Sequence, residues 1–229
     1  MTSPAAQDYL KAIYKLSRDR SAATTSGIAA RLRVAAGSVT GMLKRLAEQG
    51  YVEHVPYYGA RLTEEGEREA LRTIRRHRVL EAFLVERLGY TWDEVHEEAE
   101  RLEHAASDEL IDRMARELGE PREDPHGHPI PARGCAFLEE PLPTLAELEE
   151  GRQAVLRRVT HEDPEALRYL AGLGLVPGAR LTVQERAPFG GPLRLTVEGE
   201  ARLLGRELSR VLEIEPLDEV TATGGKDDG

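Results

Sequence analysis

The sequence predicts a mainly α-helical chain that begins with a winged helix-turn-helix and ends in a small β-rich module. Apolar residues recur at helical spacing in three short segments before Gly50, and an alternating pattern typical of a two-stranded wing follows them. Two longer helical patterns occupy the middle of the chain, and alternating segments between glycine turns return after residue 150.

The N-terminal segments contain clear start and stop signals. We expect Ser3 to cap a first helix that runs to about Arg18, with proline at its first position. Thr25 is expected to cap a second helix, and a third helix should run from near Gly37 to Gly50. The alternating "YVEHV", the turn "PYYGA" and the returning "ARL" then predict the wing.

A long central helix is predicted from Thr63, its expected N-cap, to about Leu88. Thr91 begins a capping-box pattern for the next helix, which carries "VHEEAERLEH". Ser107 can start a further helix that ends near Gly119.

The C-terminal third changes in composition. Residues 121–143 are rich in proline and too polar to be core, so they are predicted to be a linker. We expect one short helix over 144–151 and another over 164–173. The segments "QAVLRRV", "ARLTVQERA", "LRLTVE" and "VLEIEP" predict strands, and the tail "TATGGKDDG" predicts disorder because it has little to bury.

The composition limits the function classes. The chain has 229 residues and one cysteine, Cys135, so one chain can form neither a disulfide framework nor a multi-thiolate metal site. No apolar run approaches the length of a membrane span, and Met1–Leu10 lacks a signal-peptide core. We therefore expect a soluble, cytoplasmic protein without a membrane partner.

Charge is distributed unevenly along the chain. The net charge is −10, yet residues 1–61 contain nine Lys/Arg against four Asp/Glu, a balance of +5, and the remainder carries −15. Such a chain can present its N-terminal end to a polyanion while the other end stays acidic. With the helix-turn-helix pattern, this predicts binding to double-stranded DNA. An ordinary three-helix domain with a solvated basic face is the alternative.

A helix-turn-helix places the start of its second helix in the major groove while flanking groups hold the phosphates. The predicted recognition helix begins with small and hydroxyl-bearing residues, which lets its backbone approach the bases. We expect base contacts from Ser38, Thr40 and Gly41, and phosphate contacts from Arg31, Arg33, Lys44, Tyr57, Tyr58 and Arg61.

One predicted helix carries a polar stripe. His96, Glu100, Glu103 and His104 fall at i, i+4, i+7 and i+8, positions that a globular helix normally fills with apolar residues. This face is therefore either solvated or bound to something positive. Clustered carboxylates repel one another, and a divalent cation would relieve that repulsion.

Further candidates lie upstream of the stripe. His77 and Glu81 are one turn apart on the long helix, and Asp8 precedes the apolar positions of the first helix. A solvated surface pair is the alternative for His77 and Glu81. Two metal sites can be drawn from these spacings, one with Asp8, Glu100, Glu103 and His104, and the other with His77, Glu81 and His96.

Catalysis is a competing use of such helices, but we do not expect it. Di-metal carboxylate bundles need Glu-x-x-His on two helices, whereas Arg101 stands three places before His104 and Asp93 three places before His96. The chain also lacks a nucleophile–base pattern, a phosphate loop and a dinucleotide fingerprint. The other alternative is a winged-helix regulator that senses a small organic ligand without metal.

Six stretches carry a family resemblance: "DYLKAIYKL", "GSVTGMLKRLAEQGYVEH", "LTEEGE", "RRHRVLEAFLVERLGY", "VHEEAERLEHAASDEL" and "PHGHPIP". Through them the chain resembles the diphtheria-toxin-repressor family of metal-dependent transcriptional regulators, including its manganese-responsive members, from about residue 4 to 216. The order and spacing of the last three stretches are highly specific.

The resemblance implies a domain order and a function. Members are dimers that bind palindromic operators when Fe²⁺ or Mn²⁺ is present, and most repress metal-uptake genes. The implied domains are a winged helix-turn-helix at 1–72, a helical dimerisation and metal-binding domain with the linker at 73–143, an SH3-like β-barrel at 144–217 and a disordered tail at 218–229.

The resemblance also implies roles for the two residue sets above. The family's primary metal site falls on the set that contains Asp8, and its ancillary site falls on the set that contains His77. In three-domain members the SH3-like module adds ligands to the ancillary site. The matching segment here is "HEDPE", which implies Glu162 and Glu165, with Asp163 or His161 as alternatives.

Three departures from the family pattern bear on the metal. Iron-type members have methionine where this chain has Asp8, and cysteine where it has Glu100. Hard oxygens replace softer sulfurs, so Mn(II) is the expected cofactor, with Fe(II) as the other candidate. Compact two-domain manganese regulators carry a glutamate where this chain has Lys11, so we expect a separate ancillary site rather than their paired-metal geometry.

Overall fold

The computed structural model describes residues 2–17, 21–55, 58–134, 137 and 140–217. The chain forms two compact units, Met1–Pro141 and Leu142–Gly229. Over the described ranges, no helix combines the length and the apolar character that crossing a membrane requires.

The first unit begins with three helices and a two-stranded ribbon: α1 Pro4–Leu16, α2 Thr25–Leu32, α3 Ala36–Glu48, β1 Val52–Val55 and β2 Gly59–Leu62. The strands are antiparallel, with Val52 opposite Leu62. Apolar side chains from all five elements share one core, in which Leu10, Ile28 and Leu46 are fully buried. This is the predicted winged helix-turn-helix.

Two helix ends differ slightly from the prediction. α1 ends at Leu16, and the expected end at Arg18 falls on residues 18–20, which lie outside the described ranges. α2 is capped by Thr24 rather than Thr25, because the Thr24 hydroxyl accepts a hydrogen bond from Gly27 N at 3.0 Å. Both threonines can cap a helix chemically, so the sequence pattern alone does not choose between them.

Gly59 allows the wing to pair with the chain just before α2. Its φ is 127°, and a Cβ at this position would lie 1.9 Å from the carbonyl oxygen of Ala23. Ala23 and Ala60 exchange backbone hydrogen bonds of 2.9 and 3.0 Å. The ribbon is therefore attached to the helices by backbone pairing that leaves no room for a side chain at position 59.

Three more helices complete the first unit: α4 Glu64–Leu88, α5 Val95–Glu103 and α6 Asp108–Glu117. The Thr63 hydroxyl caps α4 by accepting a hydrogen bond from Gly66 N at 3.1 Å, and Gly89 closes the helix with a φ of 74°. Both ends of the long helix match the sequence prediction.

α5 begins later than its capping-box pattern predicts. The Thr91 hydroxyl donates to Glu94 Oε2 at 2.8 Å instead of accepting from a helix N–H. The residues between them form turns, and the helix starts at Val95. His104 is the C-cap residue of α5, so the polar stripe still lies on this helix and its cap.

The proline-rich segment that was predicted to be a linker packs into the first unit over residues 121–131. Asp124 and His126 are only 7% and 5% exposed. Asp124 can be buried because α4 supplies a partner, Arg78. Its guanidinium donates to the Pro129 carbonyl at 2.5 Å and lies 3.7 Å from Asp124 Oδ2.

The second unit is a five-stranded antiparallel sheet with the strand order β6-β5-β4-β3-β7. Its elements are β3 Gln153–Val159, α7 Pro164–Gly172, β4 Arg180–Arg186, β5 Leu193–Val197, β6 Glu200–Leu204, α8 Arg206–Ser209 and β7 Leu212–Pro216. Inward residues alternate with outward ones: Leu193, Leu195 and Val197 are buried, whereas Arg194 is exposed.

One local prediction in this unit was wrong. Residues 144–151 form turns rather than a helix, because Leu145 N bonds to Leu212 O at 2.8 Å and the segment pairs with β7. The sequence pattern also missed β6, in which only Leu204 is buried. The tail predicted to be disordered, 218–229, lies outside the described ranges.

Candidate functional site

The predicted DNA-contacting residues are exposed wherever the structure describes them. α3 buries Val39, Leu43 and Leu46, and its opposite face is exposed. No other heavy atom lies within 4 Å of where a Cβ would stand on Gly41, so a ligand can approach the backbone there. The exposed members of the set are Arg31, Arg33, Ser38, Thr40, Gly41, Lys44, Tyr58 and Arg61, and Tyr57 lies outside the described ranges.

Asp8, Glu103 and His104 form a first group of donor atoms, which we call the α1–α5 cluster. One atom of each lies within 4.8 Å of the others. His104 Nε2 is 3.0 Å from Asp8 Oδ1 and 3.5 Å from Glu103 Oε1. Burial raises the pKa of Asp8. The cluster brings a carboxylate from the winged helix-turn-helix to a carboxylate and an imidazole at the end of α5.

Gln7 orients the imidazole of the α1–α5 cluster. Its Oε1 lies 2.8 Å from His104 Nδ1. An amide oxygen can only accept, so Nδ1 carries a hydrogen and Nε2 is the ring nitrogen available to a cation beside Asp8 and Glu103. Gln7 itself is only 6% exposed. Sequence reasoning missed this residue, although its position directly before Asp8 in α1 was visible.

Glu103 is fully buried and carries two cationic or hydrogen-bonding partners. Its Oε1 lies 2.6 Å from Lys11 Nζ, and its Oε2 lies 2.7 Å from His77 Nδ1. Burial opposes the charged form, but His77 and Lys11 outweigh it and lower the pKa of Glu103 to about 2. The carboxylate is therefore anionic at neutral pH.

Glu100, the fourth residue of the predicted primary set, lies beside the α1–α5 cluster rather than within it. Its side chain is 53% exposed. Glu100 Oε1 lies 3.2 Å from Lys11 Nζ and 3.8 Å from His96 Nε2. Lys11 thus stands between the two glutamates of the predicted primary set.

His77, Glu81 and His96 form a second group, which we call the α4–α5 cluster. His77 Nε2, Glu81 Oε1 and His96 Nδ1 lie 3.0 Å from one another in each of the three pairs. Glu81 is 1% exposed and His77 is 6% exposed. Burial opposes the Glu81 charge, but His77 and the other two histidines at this carboxylate lower its pKa well below the usual range.

Protons alone cannot satisfy this triangle of atoms. Glu81 Oε1 can only accept, so both ring nitrogens need hydrogens to face it. If both carry hydrogens, the two donors repel each other across 3.0 Å. A cation bound by all three atoms would remove this conflict, because each atom would then offer it a lone pair. The spacing also matches neighbouring ligands of one ion with bonds of about 2.1 Å.

A third group shares Glu81 with the second and was missed by sequence reasoning. We call Glu81, Asp124 and His126 the loop cluster, and their donor atoms lie within 4.8 Å of one another. His126 Nε2 lies 2.7 Å from the Trp92 carbonyl oxygen, which leaves Nδ1 toward Glu81 at 3.7 Å. The sequence signal for this cluster was the pair Asp124 and His126 within "DPHGHPIP". It was overlooked because the segment was predicted to be a linker.

The residues implied for the second unit stand at the start of α7. Asp163 is the N-cap, and its Oδ1 accepts from Glu165 N at 2.9 Å and from Ala166 N at 3.0 Å. His161 Nδ1 accepts from Asp163 N at 3.1 Å. Both alternatives thus serve the local backbone, and the metal-binding role of Glu162 and Glu165 stays a prediction.

All three clusters offer only carboxylate oxygens and imidazole nitrogens, spaced closely enough to meet around one centre. This donor set fits first-row divalent ions such as Mn(II) and Fe(II). The α1–α5 cluster joins two parts of the first unit, whereas the other two clusters surround Glu81.

Family models match three consecutive parts of the chain. The N-terminal DNA binding domain of iron dependent repressors matches residues 1–60, and their metal binding and dimerisation domain matches residues 63–132. The FeoA domain matches residues 144–216. With the five-stranded antiparallel sheet, the last match confirms the expected SH3-like module.

Whole-chain relatives agree with these matches. The iron-dependent repressor IdeR of Mycobacterium tuberculosis (strain ATCC 25618 / H37Rv) is 32% identical over 221 residues, which cover 90% of this chain and 95% of the relative. The diphtheria toxin repressor of Corynebacterium glutamicum is 28% identical, covering 92% and 95%. A solved manganese-dependent transcriptional repressor in complex with manganese superposes with a TM-score of 0.85 at 38% identity, covering 93% of this chain and 100% of the other.

Proposed function

Because the chain belongs to the diphtheria-toxin-repressor family of metal-dependent transcriptional regulators, we propose that Mn(II) at the α1–α5 cluster switches on its binding to operator DNA. In this proposal the protein acts as a homodimer on palindromic operators and represses metal-uptake genes. Fe(II) is the other candidate ion, since it accepts the same oxygen and nitrogen donors.

The position of Asp8 carries this proposal. Asp8 lies in α1, whose apolar face belongs to the core of the winged helix-turn-helix, whereas Glu103 and His104 lie at the end of α5. An ion held by all three holds α1 against α5. This favours one arrangement of the recognition helices, and linkage requires that DNA tighten metal binding by the same factor.

The remaining ligands are assigned by the same chemistry. Asp8, Glu103 and His104 bind the regulatory ion. Glu100 completes the coordination of this ion when its side chain leaves Lys11 and turns toward the cluster. The ancillary ion binds His77, Glu81 and His96, and Glu162 and Glu165 remain the metal ligands that the family resemblance implies for the second unit. The loop cluster places Asp124 and His126 beside the same Glu81. The ancillary ion can therefore bind Glu81 together with His77 and His96, or together with Asp124 and His126.

The DNA and dimer surfaces are assigned to different helices. The exposed residues of α3 and its neighbours contact DNA: Ser38, Thr40 and Gly41 at the bases, and Arg31, Arg33, Lys44, Tyr57, Tyr58 and Arg61 at the phosphates. Leu102 and Leu110, which are 37% and 44% exposed, support a homodimer through the α5 and α6 region, because burying them in an interface is favourable.

The test uses DNA duplexes selected from a random-sequence pool by the Mn(II)-loaded full chain. Fluorescence anisotropy then measures their affinity with Mn(II) and with a chelator. We expect metal to tighten wild-type binding by about tenfold or more and Asp8→Ala to lose that gain. Glu97→Ala removes an exposed carboxylate from α5 and is the matched control.

Two outcomes would contradict the proposal. Equal metal dependence in wild type and Asp8→Ala would remove the α1–α5 cluster from the switch. DNA binding that ignores chelators altogether would favour a regulator that senses a small organic ligand.

A further inference from the structure

We propose that Lys11 is a built-in cation that competes with the metal ion for Glu103 and thereby sets the metal concentration at which the protein responds. This inference rests on the proposed function and concerns the regulation of the same α1–α5 cluster. It adds a residue that is itself no metal ligand, because a lysine ammonium offers three donors and no lone pair.

The geometry places the ammonium on the atom that the cluster needs. Lys11 is only 7% exposed, and its Nζ lies 2.6 Å from Glu103 Oε1 and 3.2 Å from Glu100 Oε1. Glu103 Oε1 is also the oxygen that faces His104 Nε2, at 3.5 Å. Lys11 and an ion bound by His104 would therefore compete for the same oxygen, Glu103 Oε1.

The charges around Lys11 keep it in its cationic form. Burial opposes the ammonium, but Glu103 and Glu100 outweigh it and raise the pKa of Lys11. The two carboxylates belong to α5 and the ammonium belongs to α1. The ion pairs therefore join the same two helices that the metal is proposed to join.

A divalent ion at this cluster must either displace the ammonium from Glu103 or share the carboxylate with it. Displacing the ammonium breaks a buried ion pair. Sharing the carboxylate holds a divalent cation close to the positive charge of Lys11, and the two repel each other strongly because little solvent screens them. Both lower the affinity for metal. Neutralising Lys11 should therefore tighten metal binding, even though no ligand is gained.

Calorimetric titration of the full chain with Mn(II) alone, without DNA, tests this directly. We expect Lys11→Met to bind Mn(II) at the α1–α5 cluster about tenfold more tightly than wild type or better. Lys11→Gln, which keeps a polar end, guards against a Lys11→Met that fails to fold and should tighten binding in the same direction. Lys11→Arg keeps the positive charge and should therefore not tighten binding.

Thermal unfolding supplies a second readout and Lys44→Met supplies the control, since Lys44 is an exposed cation on α3. Lys11→Met should show a larger metal-induced rise in Tm than wild type, and Lys44→Met should not. Unchanged or weaker Mn(II) affinity in both folded neutral variants would overturn the inference while leaving the proposed function intact. A wild type that takes up no Mn(II) would overturn both.

Discussion

His77 Nδ1 lies 2.7 Å from Glu103 Oε2, so the buried carboxylate of the α1–α5 cluster is hydrogen-bonded to a histidine of the α4–α5 cluster. This contact sets the His77 tautomer in which Nδ1 donates and Nε2 faces Glu81 and His96. The two clusters are therefore coupled through a single side chain, although they were drawn as separate sites from spacing.

That coupling predicts different consequences for two losses in the α1–α5 cluster. Glu103→Ala should weaken Mn(II) binding at both clusters, by about tenfold at the α4–α5 cluster, because His77 loses its orienting acceptor. Asp8→Ala should weaken only the first. Two-site calorimetry on both variants measures this, and an α4–α5 affinity that Glu103→Ala leaves unchanged would contradict the coupling.

Gln7 should matter for metal affinity although it does not touch the ion. Gln7→Leu removes the acceptor that orients His104, and we expect Mn(II) affinity at the α1–α5 cluster to fall by about tenfold. Gln49→Leu, at the exposed C-cap of α3, is the matched control. Calorimetry that gives the same affinity for both variants would exclude an orienting role for Gln7.

The loop cluster makes a separate prediction about the ancillary ion. If His126 contributes to it, His126→Ala should lower the affinity for the ancillary Mn(II) by about tenfold. The affinity for the regulatory Mn(II) at the α1–α5 cluster should stay unchanged. His54→Ala, an exposed histidine on the wing, controls for the loss of an imidazole. A second affinity that withstands the loss of His126 would restrict the ancillary ion to His77, Glu81 and His96.

Gly59 should be needed for the wing and therefore for DNA binding. Gly59→Ala drives a methyl group into the Ala23 carbonyl, so we expect a loss of stability larger than about 1 kcal/mol. Gly50→Ala is the matched control, because its φ of 80° is also positive but nothing lies within 4 Å of its Cβ position. Equal Tm values for the two variants would mean that the Ala23 contact is not limiting.

Asp108 should contribute stability that depends on pH. Burial opposes its charge, but hydrogen bonds from Arg72 and Arg76 lower its pKa from 3.8. A lowered folded-state pKa means that the contribution is present above pH 3.8 and is lost as the pH falls through the lowered value.

Asp108→Asn should therefore cost about 0.5–1 kcal/mol at neutral pH, a modest effect because solvent screens a partly exposed group. The Tm difference from wild type should shrink as the pH falls from 3.8 through the lowered pKa of Asp108. Glu109→Gln, at its exposed neighbour, is the control. A difference that stays constant in acid would rule out the titration of Asp108 as its source.

Much of this architecture follows from periodicity and caps. Thr63 and Gly89 delimit the long helix as predicted, because a hydroxyl N-cap and a left-handed glycine leave little ambiguity. The prediction of a helix over 144–151 was wrong because the backbone partner of this segment, β7, is far away in sequence. Local patterns cannot report a pairing of that kind, and the same is true of the buried turn at 121–131.

The sequence identified most candidate residues of the site but not the contacts that their atoms make. Spacing alone made Asp8, His77, Glu81 and the α5 stripe candidates, because the stripe puts carboxylates and imidazoles where a globular helix normally has apolar residues. Lys11 was considered only as a departure from a family pattern, and Asp124 was hidden in an apparent linker. Their roles depend on the approach of α1 and of the 121–131 turn to α4 and α5, which only the folded chain reveals.

The central claim is that one divalent ion is held jointly by α1 and α5. Anomalous diffraction from crystals of the full chain grown with Mn(II), recorded at the manganese edge, tests it most directly. The account predicts a manganese peak bonded to Asp8, Glu103 and His104. Manganese peaks only elsewhere, with these three side chains unliganded, would contradict it.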